Sequence, residues 1–312
     1  MQLSDASLRS IVAHLAHLRA AYGDVLGQSE LIEPNGEYFP DEFALDADSV
    51  QTLLERIMTY APLSEDLDVK LGLVEPEGDT QAGGGCGSGA CGPGGKSAGG
   101  KGKVLRPAVE SDDGYVAVLA TVDTSDTTVL TTSLARSVGR IVLFEADEDV
   151  DPRDEGALSE LTAVACGLGT ILLNGASVYK KGCGGMKSHQ ATFLSVDELS
   201  LALALFVRIT DAKPGRVRKH LAVTQREAFD AALSWVDDQP KLVSALRDDP
   251  ETLEDGVFAL EEKKGLFGKL LGRKKSDDED FVPVSKPSTL SEEERRRIAE
   301  TKALVEEALQ DS

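Results

Sequence analysis

The sequence predicts an α+β fold, mainly helical with a small β region, and three observations carry that prediction. Apolar residues recur at helical spacing through residues 8–22, 50–58, 161–173 and 196–209. The period switches to a strand-like apolar run at 115–122, from Tyr115 to Val122. Residues 79–103, rich in glycine and cysteine, and the charged residues after 240 carry no such period. The chain therefore divides into an N-terminal amphipathic helix (1–30), a core (31–240) holding the Gly/Cys-rich loop 79–103, and a charged tail (241–312) with a terminal helix.

Each element follows from its residues. Leu8, Ile11, Val12, Leu15, Leu18 and Tyr22 line one face of the first helix, Gly23 can end it, and His14 and His17 fall on its partly solvated face. A second helix begins after residues 46–49, with Val50, Leu53, Leu54, Ile57 and Met58 inward. Residues 115–122 form a strand, 127–130 a short second strand, and 131–144 a helix that tolerates two threonines at its start. The acidic stretch 145–155 is a loop. From Gly156 a helix runs through Leu161, Val164, Leu168, Ile171 and Leu172, apolar nearly all round and therefore buried. Helices at 196–209 and 224–236 close the core, with Trp235 inside it, and 242–246 and 253–260 read as short helices. Ser291 and Glu294 make a capping box at the start of the last helix. Its narrow stripe of Ile298, Val305 and Leu309 packs better on a partner than alone.

Composition bounds the function. With 312 residues and 41% hydrophobic content the chain can bury a sizeable core, and a net charge of −21 opposes nonspecific binding to nucleic acid or anionic lipid. The sequence contains no apolar run long enough to span a bilayer, and its start has no basic region followed by an apolar one, which predicts a cytoplasmic protein. Cys86, Cys91, Cys166 and Cys183 do not read as a disulfide framework. Cys166 belongs to the apolar helix and reads as core. Cys86, Cys91, Cys183 and His189 are the candidates for a zinc site, because glycines let the backbone close round a metal that thiolate and imidazole suit. Their spacing matches no strong zinc signature, and a flexible linker with incidental thiols is the simpler reading, so no cofactor is expected. Residues 90–97 also mimic a phosphate loop, but neither the adjacent strand nor the following helix that such a loop needs is legible.

The most telling segment is Leu134-Ala135-Arg136-Ser137-Val138-Gly139-Arg140, followed beyond a loop by Ser159-Glu160-Leu161-Thr162. A zinc hydrolase helix carries H-E-x-x-H, two histidines one turn apart to grip the metal and a glutamate to activate water. Here Arg136, Ser137 and Arg140 occupy those positions, and guanidiniums offer donors only. Glu160 stands where a third ligand would come from the next helix.

From about residue 34 to 235 the order of landmarks resembles a group of largely uncharacterised bacterial zincin-like proteins. These landmarks are Tyr38-Phe39-Pro40-Asp41 before a helix, a small β region, the zinc-type helix, the buried helix at 161–169, the helix at 198–206 and a final helix with Trp235. The resemblance implies a zincin-like core, and the departure at Arg136, Ser137 and Arg140 implies that peptidase chemistry is lost. On one reading Arg136 and Arg140 pair with Glu160 in place of the metal. On the other they face solvent while Leu134, Val138 and Ile141 point inward.

The leading functional reading is a noncatalytic cytoplasmic protein-binding or regulatory module, a pseudoenzyme rather than an enzyme. Two regions would serve partners. Residues 174–192 form a glycine-rich loop bearing Lys180, Lys181 and Lys187, and the tail 250–312 carries Leu266, Phe267, Leu270 and Leu271 on one side of a basic patch. One alternative is a metal-binding protein or enzyme using Cys86, Cys91, Cys183 and His189. Another is a membrane-surface adaptor acting through 265–275.

Overall fold

The structure, a computed structural model, describes residues 3–27, 29–74, 108–111, 114–146, 150–182 and 185–260. Cys86, Cys91, Cys183, the phosphate-loop-like stretch, the tail positions Leu266, Phe267, Leu270 and Leu271, and the Ser291 capping box lie outside the described residues. Among the described residues the fold is mainly helical with a small β region. In chain order the elements are α1 Asp5–Gly27, α2 Ala47–Met58, β1 Val69–Val74, β2 Ala108–Ser111, β3 Gly114–Ala120, α3 Thr127–Glu145, α4 Glu155–Ala163, α5 Gly169–Gly175, β4 Val178–Gly182, β5 Gly185–His189, α6 Val196–Ile209, α7 Pro214–Arg218, α8 Val223–Asp237 and α9 Pro240–Asp248.

Helix α3 begins earlier than its β-branched residues suggest, and residues 127–130 are its first turn rather than a strand. The carboxylate of Asp126 accepts hydrogen bonds from Thr128 N and Val129 N at 3.0 and 3.3 Å, capping the helix. Thr131 and Thr132 return their hydroxyls to the carbonyls of Thr127 and Thr128, so the threonines satisfy themselves within the helix. From Val129 onward α3 is buried on almost every side.

Its closest neighbour is α4, which runs antiparallel to it. Gly139 makes the approach, since a Cβ there would lie 2.0 Å from Ser159 O and 3.0 Å from Ala163 N. Helices α4 and α5 form one apolar rod interrupted by a π-turn at Val164–Leu168. Gly167 holds φ at +90° in that turn, and its carbonyl accepts from Ile32 N at 3.1 Å. Contrary to the expectation that no apolar run is long enough to span a bilayer, the rod Glu155–Gly175 is long and apolar enough to do so, but 89% of its most apolar window is buried inside the structure. Helix α6, opened by a Ser195–Glu198 capping box, packs on α5 and α8.

The β region is a three-stranded sheet in the order β1-β3-β2, with β1 parallel and β2 antiparallel to β3. Tyr115 of β3 ties it to α3 by stacking on Phe144, with ring centroids 5.7 Å apart, and by donating to Glu145 at 2.6 Å. The stretch 174–192 is not a simple loop, because β4 and β5 pair as a hairpin whose register sets Lys180 opposite Lys187.

Two boundaries expected from the sequence move. Helix α1 is part of the core, with Leu8, Ile11, Val12, Leu15 and Leu18 buried, and it bends at Gly23 (φ +45°) and continues to Gly27. At the other end the core extends past residue 240. Leu242, Leu246 and Leu253 are buried, and α9 packs on α1 and α6. Residues 253–260 are not a helix. Arg9 donates to Gly256 O and Phe258 O at 3.1 and 2.8 Å and lies over the Phe258 ring, so this segment completes the core rather than waiting for a partner. All described residues fall in the unit Met1–Lys263.

Gly139→Ala places a methyl group into backbone that has no room to give. The expected loss of stability is about 3 kcal/mol, at the upper end of overpacking costs. Urea unfolding of the two proteins measures it, and a difference near zero would show that the helices can separate freely.

Candidate functional site

The candidate site is the face that α3 turns to α4. Positions 129, 133, 136 and 140 recur at helical spacing, which brings Arg136 and Arg140 onto this side of α3. Neither arginine is turned out to solvent, for their side chains are 15% and 7% exposed. Their partners differ. Arg136 Nη1 lies 3.4 Å from Glu160 Oε1 and donates at 2.8 Å to Ala191 O. Arg140 pairs instead with Glu155, Nε to Oε1 at 2.9 Å, a close charge contact rather than an aligned hydrogen bond, and its guanidinium carbon sits 3.7 Å from the Phe144 ring centroid. The idea that both arginines share Glu160 is therefore corrected: the α3–α4 crossing carries two separate ion pairs.

Glu160 is fully buried and serves as an anchor. Its two oxygens accept from Phe193 N at 2.8 Å and Leu194 N at 2.9 Å, in addition to the contact with Arg136. Burial raises its carboxyl above the ordinary value, opposed by Arg136 and the two amides. These bonds hold residues 189–194 as a strap from β5 to α6. Phe193 lies over the Arg136 guanidinium, 5.3 Å from ring centroid to carbon. Ser137, where a zinc hydrolase has its glutamate, is buried and donates at 2.9 Å to Ser133 O.

Arg136, Ser137 and Arg140 do not fit zinc. Two guanidiniums and a hydroxyl give no ligand set, and the Glu160 oxygens are already engaged. Of the other zinc candidates only His189 is described, and it is exposed at the end of β5. Among the described residues no group of three or more His, Cys, Asp and Glu gathers round a common point. A cavity of about 250 Å³ opens beside Arg136, lined by Asp123, Val129, Ser133, His189 and the strap. Lys180, Lys181 and Lys187 occupy the hairpin that leads into this lining.

Sequence reasoning missed a second charge cluster. Glu33, buried, receives Arg216 Nε at 2.5 Å, Lys219 Nζ at 2.5 Å and His220 Nε2 at 2.8 Å. Arg216 also reaches Glu30, Leu31 O and the Tyr38 hydroxyl, so α7 is fastened to the 30–38 segment. Burial alone would raise the Glu33 carboxyl, but these partners outweigh it and hold it down at about 2. The sequence signal was the run Arg216, Arg218, Lys219 and His220 in so acidic a chain. Cys166 lies by a separate cavity beside Tyr38 and Tyr60, where burial pushes its thiol up to about 12, as suits a core residue.

His14 is half-buried on the partly solvated face expected of it, and its ring meets Thr162 Oγ1 at 3.2 Å. Burial first and neighbouring His17 second hold it at about 3.

Removing Glu155 alone strands Arg140 in the core, at an expected cost of about 3–5 kcal/mol. The pair Arg140→Met with Glu155→Leu should cost far less than the sum of the single changes. A double-mutant cycle from urea unfolding checks this, and additive losses would mean that the two side chains do not interact.

Stability should also fall in acid in two steps. Folded His14 refuses a proton that the unfolded chain accepts below 6.5, so its contribution is full above that pH and is lost as the pH falls toward 3. The depressed Glu33 contributes fully above 4.5 and loses it as the pH falls toward 2. Glu160 acts in the opposite sense, since its raised value favours the fold at low pH and that part is lost as pH rises. His14→Gln should flatten the unfolding midpoint between pH 6.5 and 4.5, and Glu33→Gln should flatten it below 4.5. Unchanged pH profiles would rule out these two groups.

Compared with protein-family models, curated proteins and solved structures, the chain finds no match. The zincin resemblance therefore rests on the residues and their order.

Proposed function

We propose that this protein is a noncatalytic cytoplasmic binding module, built on a degenerate zincin-like helix pair. The observation that carries this reading is the pairing at the α3–α4 crossing. The positions that would bear two metal-binding histidines hold Arg136 and Arg140, and these meet Glu160 and Glu155. The carboxylate that would be a third ligand spends its oxygens on two backbone amides and a guanidinium. A general base or metal ligand needs an available lone pair, and both oxygens of Glu160 are already occupied by the strap amides and Arg136, which take three of a carboxylate's roughly four lone-pair sites. What the site retains is a cavity beside a cation and a lysine-bearing hairpin leading into it. Those are the features of a recognition surface, and a protein partner would engage the hairpin face.

The test restores the lost motif. Arg136→His, Ser137→Glu and Arg140→His are combined with Glu155→Leu, which removes the carboxylate that would otherwise lose Arg140. The expected result is about one zinc per chain and a melting temperature that rises with zinc and falls with chelator, as metal binding couples to folding. The unaltered protein should cleave no peptide in a chelator-sensitive way. A folded variant that takes up no zinc would count against the zincin-like geometry. Chelator-sensitive cleavage by the unaltered protein, abolished by Glu160→Ala, would overturn the noncatalytic reading.

A further inference from the structure

Among the described residues the longest exposed run is 40–48, the approach to α2. Two large apolar side chains stand in it, Phe43 at 40% and Leu45 at 68% exposure. The backbone beneath them is tied at three points. The Asp41 carboxylate accepts from Arg56 Nε and Nη2 at 2.9 and 3.1 Å, Ala44 N donates to Ser49 Oγ at 3.2 Å, and Asp46 caps α2 by accepting from Ser49 N at 2.8 Å. Apolar side chains left in water on backbone that is already held in one arrangement lose little further freedom on docking, which makes them effective anchors.

The charge around this loop specifies what would cover it. Residues 37–70 carry nine acidic side chains, all exposed, and two basic ones, Arg56 and Lys70, which pair with Asp41 and Asp68. Apolar anchors in such a field are complemented by apolar residues flanked by cations. Residues 263–275 meet that description, with six lysines and arginines, no acid, and Leu266, Phe267, Leu270 and Leu271 between them. Copies of a chain with a net charge of −21 repel one another, so association between them needs a cationic segment of this kind. The described chain leads toward the segment from Phe258, which Arg9 holds on α1. Helix α1 packs on α4, α6 and α9, whereas α2 packs on α3 and β1. Phe258 therefore sits among neighbours other than those of the loop, which favours the loop of a second copy.

We propose that loop 40–46 of one copy binds segment 263–275 of a second copy, and that the exchange is reciprocal and closes a twofold dimer. Phe43 and Leu45 are taken up by the apolar residues of the segment, and its lysines and arginine are set against the acids around the loop. The inference goes beyond the noncatalytic reading and does not depend on it.

Sedimentation of the full chain over a range of concentration and salt tests the proposal. A dimer should form as concentration rises and should weaken as salt is added, because the charges are screened. Phe43→Ser with Leu45→Ser, both at exposed positions, should weaken it by about tenfold or more. Leu266→Ser, Phe267→Ser, Leu270→Ser and Leu271→Ser together should do the same, and circular dichroism should show both variants folded like the parent. The first variant keeps its segment and the second its loop, so a fluorescently labelled copy of one should bind the other saturably and more tightly than either binds itself. A chain that stays monomeric throughout, a dimer unmoved by the loop changes, or variants that pair no better with each other than with themselves would each overturn it. The first of these is also the result if the segment serves its own chain or another protein.

Discussion

The close crossing of α3 and α4 at Gly139 is the constraint from which the candidate site follows. Because the glycine has no side chain, the backbone of one helix reaches the carbonyl of Ser159 on the other. That approach brings Glu155 and Glu160 against Arg140 and Arg136 inside a core that would otherwise reject all four charges. With the crossing in place, Glu160 can extend its oxygens to the amides of residues 193 and 194. The strap, the start of α6 and the cavity wall are positioned by that one carboxylate. Gly156 contributes to the same fit, since a Cβ there would lie 2.6 Å from the Phe193 ring.

Buried charge in this protein follows a consistent pattern. Glu33, Glu155 and Glu160 are all carboxylates taken out of water, and each is met by at least one arginine. Such pairs seldom add stability over an apolar replacement, but they penalise any packing that separates the partners. They therefore favour a single arrangement of α3 on α4 and of α7 on the 30–38 segment. The chemistry suits a site held in place more than one that must take up and release protons.

The same charge pattern explains why the site was only half legible. The unusual Arg136 and Arg140, one turn apart, could be recognised in the sequence, as could Glu160 on the following helix. Glu155 could not be distinguished within an acidic stretch, because its role depends on where α4 starts and how closely α3 approaches. The Glu33 cluster joins residues more than 180 positions apart, and no local pattern connects them.

Sequence by itself determined the helical core and its buried rod, since apolar spacing at 161–173 and 196–209 leaves those segments no other way to leave water. It also determined that positions 136, 137 and 140 are not a zinc ligand set, because side-chain chemistry alone decides that. Tertiary structure decided the rest. Packing against α9 and residues 253–258 drew α1 into the core, whereas the start of α3 at residue 127 came from a local signal, the Asp126 cap, that outweighed the β-branched residues after it. The choice between solvent and pairing for the two arginines was likewise tertiary. Helical spacing puts them on one face, but only the approach of α4 supplies the carboxylates that make burying that face affordable.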